Sequence, residues 1–194
     1  MELYEAIEKR RTIRIFKAGA NPEQLQRIIL AGTKAPSAVN RQPWEFVHVE
    51  DEKIFTRLSE IKYEQTKANP PKTVEGDAQA IETLAGLQRD SFRNASLVAI
   101  CHLKEWERSV WMCLENMSLA AVAEGLGSGI VMYWGEHQKE VGKVLGLPQD
   151  YEVTAILKIG IPGEDGYPRE KNPYMPRRPE FSWLHRDRFK QDST

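Results

Sequence analysis

Cysteine is scarce in this chain, with only Cys101 and Cys113 among 194 residues. Two cysteines in a domain of this size make no disulfide framework. Each falls in an apolar pattern where a reduced thiol packs as a small hydrophobe, and reduced thiols point to a cytoplasmic setting. Long apolar runs are lacking too: no stretch approaches the ~20 residues that cross a bilayer, and residues 1–17 are charged throughout, unlike a secretory leader. With a net charge of −1 there is no excess of either sign, so neither nucleic acid nor a membrane surface is an expected partner. The histidines His48, His102, His137 and His185 share no metal-ligand spacing. Cys101 and His102 are neighbours on a predicted strand and point to opposite faces. No metal and no thiol catalysis is expected, and Ser37 has no base placed by a recognisable spacing to activate it. A Walker pattern is absent. Gly125-Leu126-Gly127-Ser128-Gly129 follows a helical pattern and opens a strand, the reverse of a dinucleotide fingerprint. Gly125 reads as a helix end instead. A nicotinamide nucleotide would have to bind by other means.

What is present is an ordinary globular composition, 41% hydrophobic and 28% charged, long enough for one full core. Residues 1–194 read as a single domain with no internal repeat. Residues 2–10 have helical spacing, with Leu3, Ala6 and Ile7 on one stripe, and 12–16 alternate as an extended segment. Asn21-Pro22-Glu23-Gln24 is a helix start with a capping-box partner, and Leu25, Ile28 and Ile29 form its buried stripe. Trp44–Glu50 reads as a strand and Asp51 as the cap of the next helix. Residues 62–94, interrupted by Asn69-Pro70-Pro71, read as a lid or insertion. A buried strand over 95–103, a long helix over 106–124, a strand over 129–134, a helix over 136–145 and a last core strand over 153–161 follow. Helices and strands mix without regular βαβ repetition, which predicts an α+β layer structure. The proline- and arginine-rich stretch after Pro162 has little periodicity and must dock against something else.

Two features carry chemistry. Arg10, Arg11 and Arg14 lie at a helix-to-extended transition, and Arg177-Arg178 is stiffened by Pro176 and Pro179. The planar guanidinium fork suits phosphate oxygens and keeps its charge, so both clusters are candidate anion sites. Pro36-Ser37-Ala38-Val39-Asn40-Arg41-Gln42-Pro43-Trp44 is a short polar turn between prolines that can present amide and hydroxyl groups to a planar ligand.

These motifs resemble the FMN-dependent nitroreductase family. Arg10-Arg11-Thr12-x-Arg14-x-Phe16 is similar to its N-terminal signature, and the 35–44 stretch to its second and most specific one. Gly125–Ser128, Leu145–Pro148, Ile159–Pro162 and Pro176–Pro179 resemble later parts, so the likeness spans nearly the whole chain. The resemblance implies a mostly antiparallel central sheet flanked by helices, with a C-terminal segment docking on the partner subunit of a homodimer that holds FMN at its interface. It implies that Arg10 and Thr12 bind the FMN phosphate with Arg177, that Arg11 lies along the phosphate–ribityl end, and that Arg14 sits near the pyrimidine edge. Pro36, Ser37, Ala38 and Asn40 would come from the partner, and backbone groups of Met132 and Tyr133 would approach the flavin N5 and O4. The implied activity is NAD(P)H-driven ping-pong reduction of a small aromatic acceptor, a nitroaromatic or quinone, with no protein acid–base pair because the flavin carries the hydride chemistry. The chain departs from the pattern twice: bulky Tyr133 and Trp134 stand where small residues are common, and Met175 where lysine is common. The same resemblance reaches flavin-dependent dehalogenases, synthases and dehydrogenases, and a flavin-binding redox module without turnover or an interaction protein stays open as well.

Overall fold

The computed structural model describes residues 1–163, 178–179 and 183–189. In chain order the elements are α1 (Leu3–Lys9), β1 (Phe16–Gly19), α2 (Pro22–Thr33), β2 (Trp44–Val49), α3 (Glu52–Ala68), α4 (Ala78–Asp90), β3 (Ser96–Leu103), α5 (Glu107–Ala123), β4 (Gly127–Val131), α6 (Gly135–Val144) and β5 (Tyr151–Pro162).

Local chemistry sets most of the boundaries. The Asn21 side chain accepts from the Gln24 amide at 2.8 Å while Gln24 Oε1 accepts from the Asn21 amide at 3.2 Å, closing the capping box of α2. Asp51 Oδ1 accepts from the amides of Lys53 and Ile54 at the start of α3, and Asp77 Oδ1 from Ala80 at the start of α4. Gly125, at φ +77°, turns the chain out of α5 in the left-handed conformation that a side chain would strain.

The sheet is antiparallel in every named pairing and runs in the order β1-β5-β3-β2, with β4 on the opposite edge of β5 from β3. β5 is therefore the central strand. On one face Val98, Ile100, Leu157 and Ile159 pack with Leu25 and Ile28 of α2 and with Val110, Leu114 and Met117 of α5. On the other, Leu97, Ala99, Cys101, Val153 and Ile156 pack with Leu58 and Ile61 of α3, with Phe92 and with Val141 of α6. Each fully buried aliphatic side chain of these layers contributes roughly 1.5–3 kcal/mol. Cys101 and Cys113 are free and lie on opposite faces of the sheet, each within a core.

Three sequence expectations shift. Only Ala6 of the α1 stripe is buried, and Leu3, Tyr4 and Ile7 stand exposed. β1 begins at Phe16, because residues 12–15 lie alongside β4 and β5 instead: the Ile13 amide donates to the Ser128 carbonyl and the Gly163 amide to the Ile15 carbonyl, both at 2.8 Å. β4 ends at Val131 and not at Trp134, because the next backbone groups bond to side chains of α3. Within 62–94, α3 and α4 pack on one another, and the segment ends in the fully buried Phe92. Among the described residues no helix is long and apolar enough to cross a membrane.

Candidate functional site

The segment after α1 brings the first arginines to the β4 edge of the sheet. Thr12 forms an isolated parallel bridge with Ser128, next to the Ile13–Ser128 hydrogen bond. The approach is close: a Cβ on Gly129 would lie 2.2 Å from the Ile13 carbonyl oxygen, so only glycine fits there. Arg10, the C-cap of α1, is held by Glu115 of α5, its Nε 3.9 Å from Oε1. Arg11 is half-buried and donates to the Arg10 carbonyl, and Thr12 is exposed. Arg14, half-buried, lines a cavity of about 260 Å³ with Phe16, Leu87, Ser91 and Arg93.

Past the end of β4, α3 grips the backbone. Lys62 Nζ and Gln65 Nε2 both donate to the Met132 carbonyl, and Gln65 Oε1 accepts from the Trp134 amide at 3.1 Å. A carbonyl oxygen offers two lone pairs, so that of Met132 is committed to holding this segment in place. The side chain of Met132 is exposed, while that of Tyr133 turns into the core, where its hydroxyl donates to the Leu58 carbonyl at 2.8 Å. Burial raises the Tyr133 phenol well above its usual range. Of the two bulky residues here, Trp134 alone is at the surface, with Lys62 Nζ 4.9 Å from its ring centroid.

Two lysines complete a cationic floor that the sequence pattern did not single out. Lys62 on α3 is 9% exposed and Lys158 on β5 is 3% exposed. Burial lowers Lys62 to about 8. Burial, with the charges of Arg14 and Lys62, lowers Lys158 to about 7. Lys158 Nζ donates to Ser91 Oγ at 2.6 Å. Lys62 and Gln65 follow the helical spacing of Leu58 and Ile61, and Lys158 stands within the apolar run 155–161, but neither pattern by itself marks a site.

The turn after α2 is built separately. Ala38–Asn40 is a short 3-10 turn with Val39 and Asn40 at φ +47° and +54°, a backbone costly for β-branched valine. Ser37 Oγ accepts from the Gln42 amide at 2.9 Å, which leaves its O–H to donate. Pro36, Ala38 and Asn40 are exposed. Arg41 stacks over Trp106. Arg177 and Met175 lie outside the described residues; Arg178 is described and exposed.

Lys158, buried on the central strand, thus feels the charges of Arg14 from the segment before β1 and of Lys62 from α3. The chain belongs to the nitroreductase family, whose model matches residues 7–161. It is 30% identical over 182 residues to an NADH dehydrogenase of Thermus thermophilus, covering 85% of this chain and 89% of the relative. It is 29% identical to an iodotyrosine deiodinase of Thermotoga neapolitana, covering 90% and 93%. A crystal structure of oxidized iodotyrosine deiodinase bound to FMN and 3-iodo-L-tyrosine superimposes with a TM-score of 0.70 at 28% identity, covering 93% of this chain and all of that one.

Proposed function

We propose that the protein is a cytoplasmic FMN-dependent oxidoreductase that takes electrons from NAD(P)H and passes them to a small planar acceptor, a nitroaromatic or a quinone. The observation that carries this reading is the docking of the arginine-bearing 10–14 segment along β4, through the Thr12–Ser128 bridge and the Ile13–Ser128 hydrogen bond, in a member of this family. The residues fit a flavin nucleotide. Gly129 lets the Ile13 backbone close against β4, which fixes the 10–14 segment and its guanidinium forks at that edge.

In this reading Arg10 and Thr12, with Arg177, hold the phosphate, and Arg11 lies along the phosphate–ribityl end. Arg14 faces the pyrimidine edge, where a fixed cation favours the charge that appears on reduction. Backbone groups of Met132 and Tyr133 meet the N5 and O4 side, kept in register by Lys62 and Gln65. FMN, when bound, supplies the hydride chemistry in two half-reactions that share one space. The protein's own work is to bind, orient and exclude water. A second copy of the chain would bring Pro36, Ser37, Ala38 and Asn40 to the ligand, and the exposed Leu3, Tyr4 and Ile7 of α1 support such a homodimer. The α3–α4 region, 62–94, would lie over the site as a lid. A second reading, reductive removal of iodide from an iodotyrosine-like substrate, is favoured by the 28–29% identity to iodotyrosine deiodinases over most of the chain.

An absorption spectrum with added FMN tests the first reading. A flavin spectrum that NADH or NADPH bleaches without an acceptor, and that a quinone restores, is expected. A protein with no affinity for FMN would sink the proposal. Turnover of 3-iodotyrosine with inert quinones would select the second reading.

A further inference from the structure

The fold treats the two bulky residues after β4 differently. Tyr133 is 4% exposed and packs in the core under α3, whereas Trp134 is 47% exposed and belongs to neither core layer. The indole therefore contributes little to holding the fold together. Its backbone is nevertheless tied down at both ends. The Trp134 amide donates to Gln65 Oε1 at 3.1 Å, and its carbonyl accepts from the Gln138 amide at 3.4 Å at the start of α6. Gln65 is fully buried. A buried amide side chain that anchors an exposed aromatic residue points to a role for that ring outside the fold.

The ring is also backed on one side. Lys62 Nζ lies over the indole, 4.9 Å from its centroid, and Lys62 is itself buried, so the protein closes this face. The exposure that remains falls on the opposite face and the edges. Buried Gly129, Val131 and Tyr133 alternate with exposed Ile130, Met132 and Trp134. The exposed three form an apolar row of one branched aliphatic chain, one thioether and one flat ring. Such a set suits a flat aromatic molecule, because an indole face stacks on another ring and a thioether sulfur packs at ring edges. Tryptophan is a rigid anchor with only two side-chain torsions, so little freedom is lost when a ligand settles on it.

We infer that Trp134 is the platform on which the ring of the electron acceptor stacks, and that it sets the preference for flat aromatic acceptors over non-planar ones. The inference rests on the flavin reading above, in which the backbone of Met132 and Tyr133, the two residues before Trp134, meets the cofactor. Lys62 and Gln65 are positioning residues in this arrangement. Lys62 backs the indole, and Gln65 fixes the amide from which it projects.

The test uses the FMN-reconstituted protein, reduced beforehand with dithionite so that the acceptor half-reaction is followed alone. A naphthoquinone serves as the flat acceptor and ferricyanide as the non-planar one. Trp134→Ala should raise the half-saturating naphthoquinone concentration about tenfold, the scale of one aromatic stacking contact. The maximal rate should stay nearly unchanged, as for a loss of uniform binding, and the reaction with ferricyanide should not move. Trp134→Phe keeps a flat ring and should stay within about threefold of the native protein. Binding is also read without turnover: naphthoquinone added to the oxidised protein should quench tryptophan emission, and Trp134→Phe should lose part of that quenching. Both variants retain the backbone bonds to Gln65 and Gln138. An unchanged half-saturating concentration in Trp134→Ala overturns the platform, as does an equal loss with ferricyanide, or quenching in Trp134→Phe identical to native. A changed oligomeric state of Trp134→Ala on sedimentation, with native acceptor kinetics, gives the ring to a second copy of the chain and overturns it too. A protein that takes up no FMN overturns the flavin reading and the platform with it, whereas a flavin-loaded protein with any of the other contrary results removes the platform alone.

Discussion

Lys62 on α3 donates to the Met132 carbonyl at 3.2 Å, and Gln65, one turn further along the same helix, reaches the same oxygen at the same distance. Gln65 also accepts from the Trp134 amide, so one buried amide side chain holds both sides of Tyr133. Gln65→Leu leaves the Trp134 N–H without its acceptor and the carbonyl with a single donor. Loss of about 1–3 kcal/mol is expected from the cost of an unsatisfied buried polar group, measured by urea unfolding of the apoprotein. Native stability in that variant would show that this segment is held by other contacts.

Lys158→Met should stabilise the apoprotein at neutral pH, by about 1–3 kcal/mol on the general behaviour of buried charges replaced by apolar side chains of similar volume. The sign follows from linkage. Lys158 titrates at about 7 when folded against 10.5 as its ordinary value, so between these pH values the unfolded chain binds more protons and native stability rises with pH. The penalty is fully present below about 7 and fades toward 10.5. Lys62, lowered to about 8, adds to the rise. Above about 9 the buried thiols act in the opposite direction, because unfolding releases their protons. The difference between native and variant isolates Lys158; a variant no more stable than native near pH 7, with the same pH dependence, would contradict the account.

Gly129→Ala places a methyl group 2.2 Å from the Ile13 carbonyl oxygen and 3.2 Å from Lys158 Cε. The backbone of the 11–14 segment has to move away from β4. A loss of at least about 2 kcal/mol is expected, within the range for overpacking, together with weaker FMN binding because the arginines move with that segment. Unchanged thermal stability would mean that the two backbones are not in contact.

Both cysteines should be inert in the folded protein. Burial pushes the Cys101 and Cys113 thiols up to about 12, and the thiolate is the reactive form. A chromogenic disulfide reagent near neutral pH should label neither residue in the native protein and both after denaturation. Rapid labelling of the native protein would place a thiol at the surface.

The arginines separate the two ends of the proposed cofactor. Arg10→Ala should weaken FMN binding about ten- to a hundredfold, the equivalent of a charge-assisted hydrogen bond, in fluorescence titration. Arg14→Ala should lower the flavin potential and slow reduction by NAD(P)H. Unaltered FMN affinity in the first variant would return Arg10 to its surface partner Glu115 alone, and an unaltered potential in the second would remove Arg14 from the pyrimidine edge.

Much of the fold is legible in the sequence, and the reason is locality. The capping box of Asn21 and Gln24, the Asp51 cap and the Gly125 exit are set by residues within a turn of one another, and the structure shows each of them. The apolar runs that became β3 and β5 also stand out, because a strand buried on both faces needs hydrophobic residues in sequence. The end of β4 was not legible: Val131 is the last strand residue because Gln65, 66 positions earlier, competes for the backbone beyond it. The exposure of Leu3 and Ile7 was equally hidden, since a helical stripe has the same period whether it faces its own chain or another.

For the site the division is similar. Arg10, Arg11, Arg14 and the 36–44 turn could be named from the chain because contiguous residues carry their chemistry. Lys62, Ser91 and Lys158 could not, because each reads locally as an ordinary member of a helix, a helix end or a strand. By itself the sequence determined the composition of the layers, the helix caps and the arginine-bearing segments, through interactions that span a few residues. Only the tertiary structure decided that two lysines distant in sequence are both buried and that Lys158 feels the charges of Lys62 and Arg14, because burial, and the shift in proton affinity it causes, is a property of what surrounds a side chain and not of the chain on either side of it.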